Sequence, residues 1–195
     1  KVIARQYLML GDEERSITLL NQAAETMEDL LKSSSDGRMQ NVALDIYYWQ
    51  GITLDRMGED PTDSFKRAEK LNQKLTQKSD SINNPGMLLK ILARSGRTDE
   101  AIKLADEMAE GAEKLMNCGY AACGYALITE HLSQDDPRHV ELTEKSIDLT
   151  RSLIRQGYHD FDALRKTDLD FEPLQQNPAF LKMLDEEQTR LASEK

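Results

Sequence analysis

Aromatic side chains are scarce in this sequence. Phe, Tyr and Trp make up 6% of its 195 residues, with a single tryptophan among them. Runs of Val, Ile and Thr are few as well, which argues against a large sheet, because strands depend on such side chains packing on a pleated face. No stretch approaches the roughly 20 apolar residues that a membrane-crossing helix requires, and no signal peptide is visible. Basic residues are outnumbered, 25 against 35 acidic ones, giving a formal charge of −10 and a pI of about 4.9. That balance opposes binding to the phosphate backbone of nucleic acid or to an anionic membrane, and it favours a basic partner. The two cysteines, Cys118 and Cys123, would stand about 140° apart on one helix, which suits neither a local disulfide nor a metal clip. They read as buried reduced thiols in a reducing, cytoplasmic compartment.

Catalytic signatures are missing too. There is no glycine-rich phosphate loop followed by a catalytic lysine, no His-Arg-Asp loop and no Asp-Phe-Gly. Gly119 to Gly124 has the glycine spacing of a P-loop, but Tyr125-Ala126 stand where Lys-Ser/Thr are required. His131, His139 and His159 fall in different elements without a partnering cysteine, so no metal is expected of them. Asp160, Asp162, Asp168 and Asp170 crowd a turn-rich stretch, but without the glycine and glutamate register of a calcium loop they read as helix caps. The segment is expected to be non-catalytic, without cofactor or metal.

What the sequence does contain is helical periodicity. Its clearest instance runs from Leu88 to Met108. Leu88, Leu89, Ile91, Leu92 and Ala93 precede Ser95-Gly96-Arg97-Thr98, and Ala101, Ile102, Leu104, Ala105 and Met108 follow it. Spacings of three and four place these residues on helix faces, and Gly96 suits the left-handed residue that ends a helix. Thr98 is positioned to cap the second helix, with Asp99 and Glu100 where the helix dipole favours negative charge. Such a hairpin has an apolar side it cannot bury alone, so it must stack on neighbours.

The same pattern gives about four hairpins, at 1–32, 39–75, 86–116 and 119–156. The first turns at Gly11, with Asp12 capping its second helix, and the second turns at Gly58, with Asp60-Pro61 opening the next helix. The second helix of the third hairpin is expected to reach Met116, and Asn117-Cys118-Gly119 to turn the chain into the fourth. Ser33–Gly37, Thr76–Asn84 and Ser133–Arg138 read as connectors by composition. Gly51, inside a helix, costs about 1 kcal/mol against alanine and therefore marks a close-packing point. The chain begins at Lys1 already inside an apolar pattern, as a segment of a longer protein would.

These hairpins resemble the tetratricopeptide repeat: a small residue in the first helix, glycine at the turn, alanine early in the second. The pattern is clearest at Leu89, Leu92, Gly96, Ala101 and Met108. The turn glycines Gly11, Gly58 and Gly96 are spaced somewhat wider than the repeat's period of about 34 residues, with longer second helices and connectors taking up the excess. The tail adds Tyr120 to Leu127, then Gly157-Tyr158-His159-Asp160-Phe161, Asp168-Leu169-Asp170, Pro173-Leu174 and Asn177-Pro178-Ala179-Phe180. It resembles the closing unit of tetratricopeptide arrays, in particular those behind bacterial serine/threonine kinase domains of the planctomycete type. Periodicity and resemblance together give an all-α solenoid, right-handed by the resemblance and closed by an irregular C-terminal cap at 157–187, and the polar tail at 188–195 reads as frayed. Phe161, Leu164, Leu169, Leu174, Phe180, Leu181 and Leu184 would cover the exposed end of the last hairpin.

The function implied is a non-catalytic protein-interaction scaffold, part of a larger bacterial signalling protein such as a serine/threonine kinase. Its partner would be a protein or peptide, with self-association or a small-molecule sensor role as alternatives. The sensor reading requires a deep closed pocket around Tyr48, Trp49 and Tyr125. By analogy with tetratricopeptide grooves, where the first helix of each hairpin lines the concave surface, the candidate binding residues are Tyr48, Ile52, Asp55, Lys90, Arg94 and Tyr125. Tyr47-Tyr48-Trp49 is the richest aromatic cluster and reads either as core or as groove. The groove reading implies that reversing the charges of Lys90 and Arg94 weakens binding and spares the fold.

Overall fold

The computed structural model describes residues 2–33, 36–77 and 85–194. The connector expected at 76–84 lies largely outside them, as do Ser34 and Ser35. The described chain is helical, without a strand, and none of its helices is long and apolar enough to cross a membrane. It divides into two compact units, Lys1–Ile91 and Leu92–Lys195. The boundary falls inside a helix, within what the sequence reads as the third hairpin.

The first unit holds α1 (Val2–Met9), α2 (Glu13–Ser33), α3 (Gly37–Arg56), α4 (Thr62–Gln77) and most of α5 (Pro85–Arg94). Asp36 caps α3 by accepting from Arg38 N, and Asp60 accepts from Thr62 N at the start of α4. As expected, Asp12 accepts from Arg15 N in the first turn of α2. Helix α3 lies between α2 and α4 and packs on both. On the α2 side Ser16 and Thr53, both fully buried, hydrogen-bond hydroxyl to hydroxyl at 3.2 Å. Towards α4, Phe65, Ala68, Leu71 and Leu75 form the expected buried stripe. Gly51 is the close-packing point: a Cβ built there would fall 2.7 Å from ring atoms of Phe65.

The second unit contains the end of α5, then α6 (Thr98–Ala109), α7 (Leu115–Thr129), α8 (Pro137–Arg155) and α9 (Pro178–Ser193). Here α6 and α8 both pack on α7, and α9 packs on α8. Helix α7 is buried over most of its circumference, which small residues allow: Ala121, Ala122, Gly124 and Ala126 carry little bulk, so neighbours come close to its backbone. Ser146 of α8 donates to the carbonyl of Ala122 at 2.7 Å, and the Cys118 thiol donates to the carbonyl of Leu149 at 3.1 Å. Cys118 and Cys123 are both buried and in no disulfide, as the sequence implied. Burial holds the Cys118 thiol above its ordinary pKa, which disfavours the reactive thiolate.

Gly11, Gly58, Gly96 and Gly157 all have positive φ. Each sits in the same pair of hydrogen bonds, the glycine N–H reaching back three residues and the next N–H reaching back five. That is the Schellman closure, which satisfies carbonyls the helix end would otherwise leave open. Two local expectations fail. Thr98 does not cap α6: it is the first helical residue, its hydroxyl turned back 3.4 Å from the Gly96 carbonyl, while Arg97 occupies the cap position and clasps Glu100 at 2.6–2.7 Å. Helix α6 stops at Ala109, short of Met116. Gly111 follows in a turn, with Asn117 only 2.8 Å from where a Cβ would stand, and the supposed turn at Asn117-Cys118-Gly119 is helical.

The C-terminal segment packs against the second unit's helices. A π-helical turn (Ala163–Thr167) and a 3₁₀ turn (Glu172–Leu174) lead into α9. Leu164, Leu174, Phe180 and Leu184 are buried with Ala122, Cys123 and Ala126 of α7 and with Ile147 and Ile154 of α8. Phe171 and Met183, absent from the expected set, join them, and Phe171 stacks on Phe180 at 6.0 Å. Leu181 and Phe161 are only half-buried. Glu187 fixes α9 to α8: its carboxylate accepts from Arg155 at 2.7 and 3.0 Å and from Arg190 at 2.8 Å. Burial works to raise its pKa, but the two guanidiniums outweigh burial and hold it below the usual carboxylate range. The tail expected to fray from 188 is helical through Ser193.

Gly51→Ala tests the α3–α4 contact. Helix propensity alone favours alanine by about 1 kcal/mol, yet crowding of Phe65 is expected to reverse the sign, for a net loss of about 1–2 kcal/mol. Thermal unfolding followed by circular dichroism checks this, and Phe65→Leu in the same chain should restore part of the loss.

Candidate functional site

The structure places most of the expected groove residues inside the protein. Tyr48 and Ile52 are each 1% exposed, and Tyr48 lies against Trp49 at 5.6 Å and Phe65 at 6.2 Å. Asp55 is exposed and Lys90 half-buried, both in the first unit. Arg94 and Tyr125 belong to the second unit, 8% and 1% exposed. The Tyr125 hydroxyl donates to Asp106 of α6 at 2.5 Å, and Lys145 of α8 lies 5.4 Å from the ring. Burial, and then Asp106, push its phenol well above the usual range. Tyr125 thus ties α6, α7 and α8 together as a core residue. Neither Tyr48 nor Tyr125 lines either cavity described below.

Arg94 is also structural. It donates to the carbonyl of Leu169 at 2.7 Å and lies 3.8 Å from Asp170 and 3.8 Å from Glu130. Its side chain is 5% exposed and that of Asp170 9%. A guanidinium so placed joins the end of α5 to the end of α7 and to the C-terminal segment. The calcium-like run resolves accordingly: Asp160 accepts from Ala163 N and Asp168 from Asp170 N, while Asp170 faces Arg94. Among the described residues no acidic, histidine or cysteine group could hold a metal ion.

What α3 offers to solvent is a face next to the expected one. Val42 is 41% exposed, Asp45 and Trp49 are half-buried, and the three recur at helical spacing. The Arg5 guanidinium of α1 lies over the Trp49 ring at 4.8 Å, and Arg56 Nη1 donates to the carbonyl of Leu8 at 3.5 Å. Two long side chains, Arg5 and Arg56, therefore bridge α1 and α3 here. Val2 (65% exposed), Arg5 and Met9 (38%) continue the strip on α1. The cluster Tyr47-Tyr48-Trp49 divides: both tyrosines are core, and the tryptophan is on the surface. Asp45 between Val42 and Trp49 is the sequence signal for this register, since a polar residue marks the wet side of an otherwise apolar helix.

On another side of α3, a cavity of about 260 Å³ opens between α2, α3 and α4. Helix α2 contributes Asn21, Glu25 and Glu28, α3 contributes Tyr47 and Gln50, and α4 contributes Asp63, Ser64 and Arg67. Tyr47 donates to Glu28 Oε1 at 3.0 Å, and Arg67 donates to the same oxygen at 2.5 Å and reaches Asp63 Oδ2 at 2.8 Å. The Arg67 guanidinium stands 5.5 Å from the Tyr47 ring centre. Burial is the main reason that Tyr47 sits above its ordinary pKa, with Arg67 opposing and Glu28 adding to the rise. Tyr47 in turn is the main reason that Arg67 is raised, with burial opposing and Asp63 assisting. A second cavity of about 380 Å³ lies between α8 and α9, over Ile147, Ala179 and Met183. Both are small or shallow for enclosing a drug-sized ligand, whose sites are mostly apolar and closed.

Arg94 yields a direct test. Arg94→Ala or Arg94→Glu leaves the buried carboxylate of Asp170 without its cation and is expected to cost roughly 3–5 kcal/mol, read as a lowered midpoint in urea. An unchanged midpoint would return Arg94 to the groove. Comparison with known families, curated proteins and solved structures finds no match to this chain.

Proposed function

We propose that this chain is a non-catalytic protein-interaction scaffold, a right-handed tetratricopeptide-like solenoid within a larger bacterial, cytoplasmic signalling protein such as a serine/threonine kinase. The observation that carries the reading is the strip on α1 and α3, where Arg5 lies over a half-buried Trp49 beside exposed Val42 and Met9. Tryptophan and arginine are the side chains most enriched at binding hot spots, because each combines large contact area with a polar or charged handle. The recurring glycine closures at Gly11, Gly58 and Gly96 support the repeat reading. They join helix to helix by one local device, as serial hairpins require. The two buried cysteines, neither in a disulfide, fit a reducing compartment.

The test is capture from a native lysate, followed by measurement with the purified partner. Trp49→Ala is expected to weaken binding at least tenfold and to leave the melting temperature within a few degrees. A partner bound equally well by the variant, or no specific partner at all, would overturn the reading.

A further inference from the structure

The cavity between α2, α3 and α4 is built unlike the Trp49 strip. Three carboxylates, Glu25, Glu28 and Asp63, surround one cation, Arg67. Arg67 and Tyr47 both bond to Glu28 Oε1, and Arg67 reaches Asp63 through Oδ2. Glu28 Oε2, Asp63 Oδ1 and both oxygens of Glu25 are left as acceptors with no donor among the described residues. Tyr47 lines the same cavity but is 5% exposed, its ring covered by the Arg67 guanidinium, so the carboxylates are what the opening presents. Acceptors in excess around an open space of about 260 Å³ match the end of one more cationic side chain. A chain of formal charge −10 adds long-range attraction for a basic partner.

We propose that this cavity receives the arginine or lysine side chain of a basic segment on the partner protein. The proposal rests on the scaffold reading and names the partner's charge. An arginine satisfies it best, because its planar fork can span two carboxylates at once. Because the site is open, the contact is worth only about two- to fivefold in affinity. It governs specificity and association rate more than total binding, and it weakens as salt rises.

The experiment titrates the isotope-labelled chain with a short arginine-rich peptide and follows backbone amide shifts, with a glutamine-substituted peptide as control. Shifts centred on Glu25, Glu28, Tyr47 and Asp63, with affinity reduced about two- to fivefold by Glu25→Gln and by added salt, support the proposal. Glu25 is exposed and makes no internal bond, so its variant keeps the Arg67 network and the fold. Equal shifts with the glutamine peptide, shifts spread over the acidic surface, or none at the cavity would overturn it. So would a free guanidinium compound that binds as tightly as the peptide, since the cavity would then be a small-molecule site. Trp49-dependent capture is read separately, so the scaffold reading can stand where this one falls.

Discussion

A helix packed on two sides must be thin where its neighbours cross it, and both units of this protein depend on that constraint. In the first, α3 lies between α2 and α4, and the absence of a side chain at Gly51 is what lets the Phe65 ring approach. In the second, α7 takes α6 on one side and α8 on another, and its alanines, glycine and cysteines are buried together. The hydrogen bond from Ser146 to the Ala122 carbonyl measures how close the second contact is. Short isolated helices are marginal in water, so these contacts, more than helix propensity, hold the elements in place. The tightness also fixes rotation, because only one face of each partner fits against a bare backbone.

Fixing α3 in this way decides which of its sides remain for anything else. With α2 and α4 in place, two further sides of α3 point about 140° apart, as about 100° per residue dictates. One carries Val42, Asp45 and Trp49 beside α1; the other carries Tyr47 and Gln50 at the floor of the polar cavity. The second unit spends its charges differently. Arg94, Asp170 and Glu187 are all buried, and they secure the C-terminal segment instead of facing solvent.

Most helices and turns were legible in the sequence because their signals are local, although the α6–α7 turn was placed at Asn117-Cys118-Gly119, which is helical. Gly11, Gly58 and Gly96 announced left-handed closures, and Gly51 announced a close approach, since glycine in those places has one physical explanation each. The apolar tail was legible as a set, Leu164, Leu174, Phe180 and Leu184, although Phe171 and Met183 were overlooked. The candidate site was not legible. Groove residues were assigned by position within a hairpin, and Tyr48 and Ile52 proved to be on the packed side of α3 while Trp49 faced out. Arg94 misled for a different reason. A cation near a helix end normally points to water, and only the arrival of Leu169 and Asp170, 75 residues further on, made it a buried strut. The cavity likewise depends on three helices meeting, so no single stretch could announce Glu25, Tyr47 and Arg67 together.

Native-state hydrogen exchange, resolved to single amides, tests the sandwiched-helix account most directly. Amides open by local or sub-global unfolding at free energies set by the burial around them. The account predicts that α3 is the slowest-exchanging helix of the first unit and α7 of the second, each slower than the helices flanking it. If α3 and α7 exchange as fast as α2 and α8, neither is the element on which its unit is built, and the orientation of the Trp49 face and of the cavity loses its physical basis.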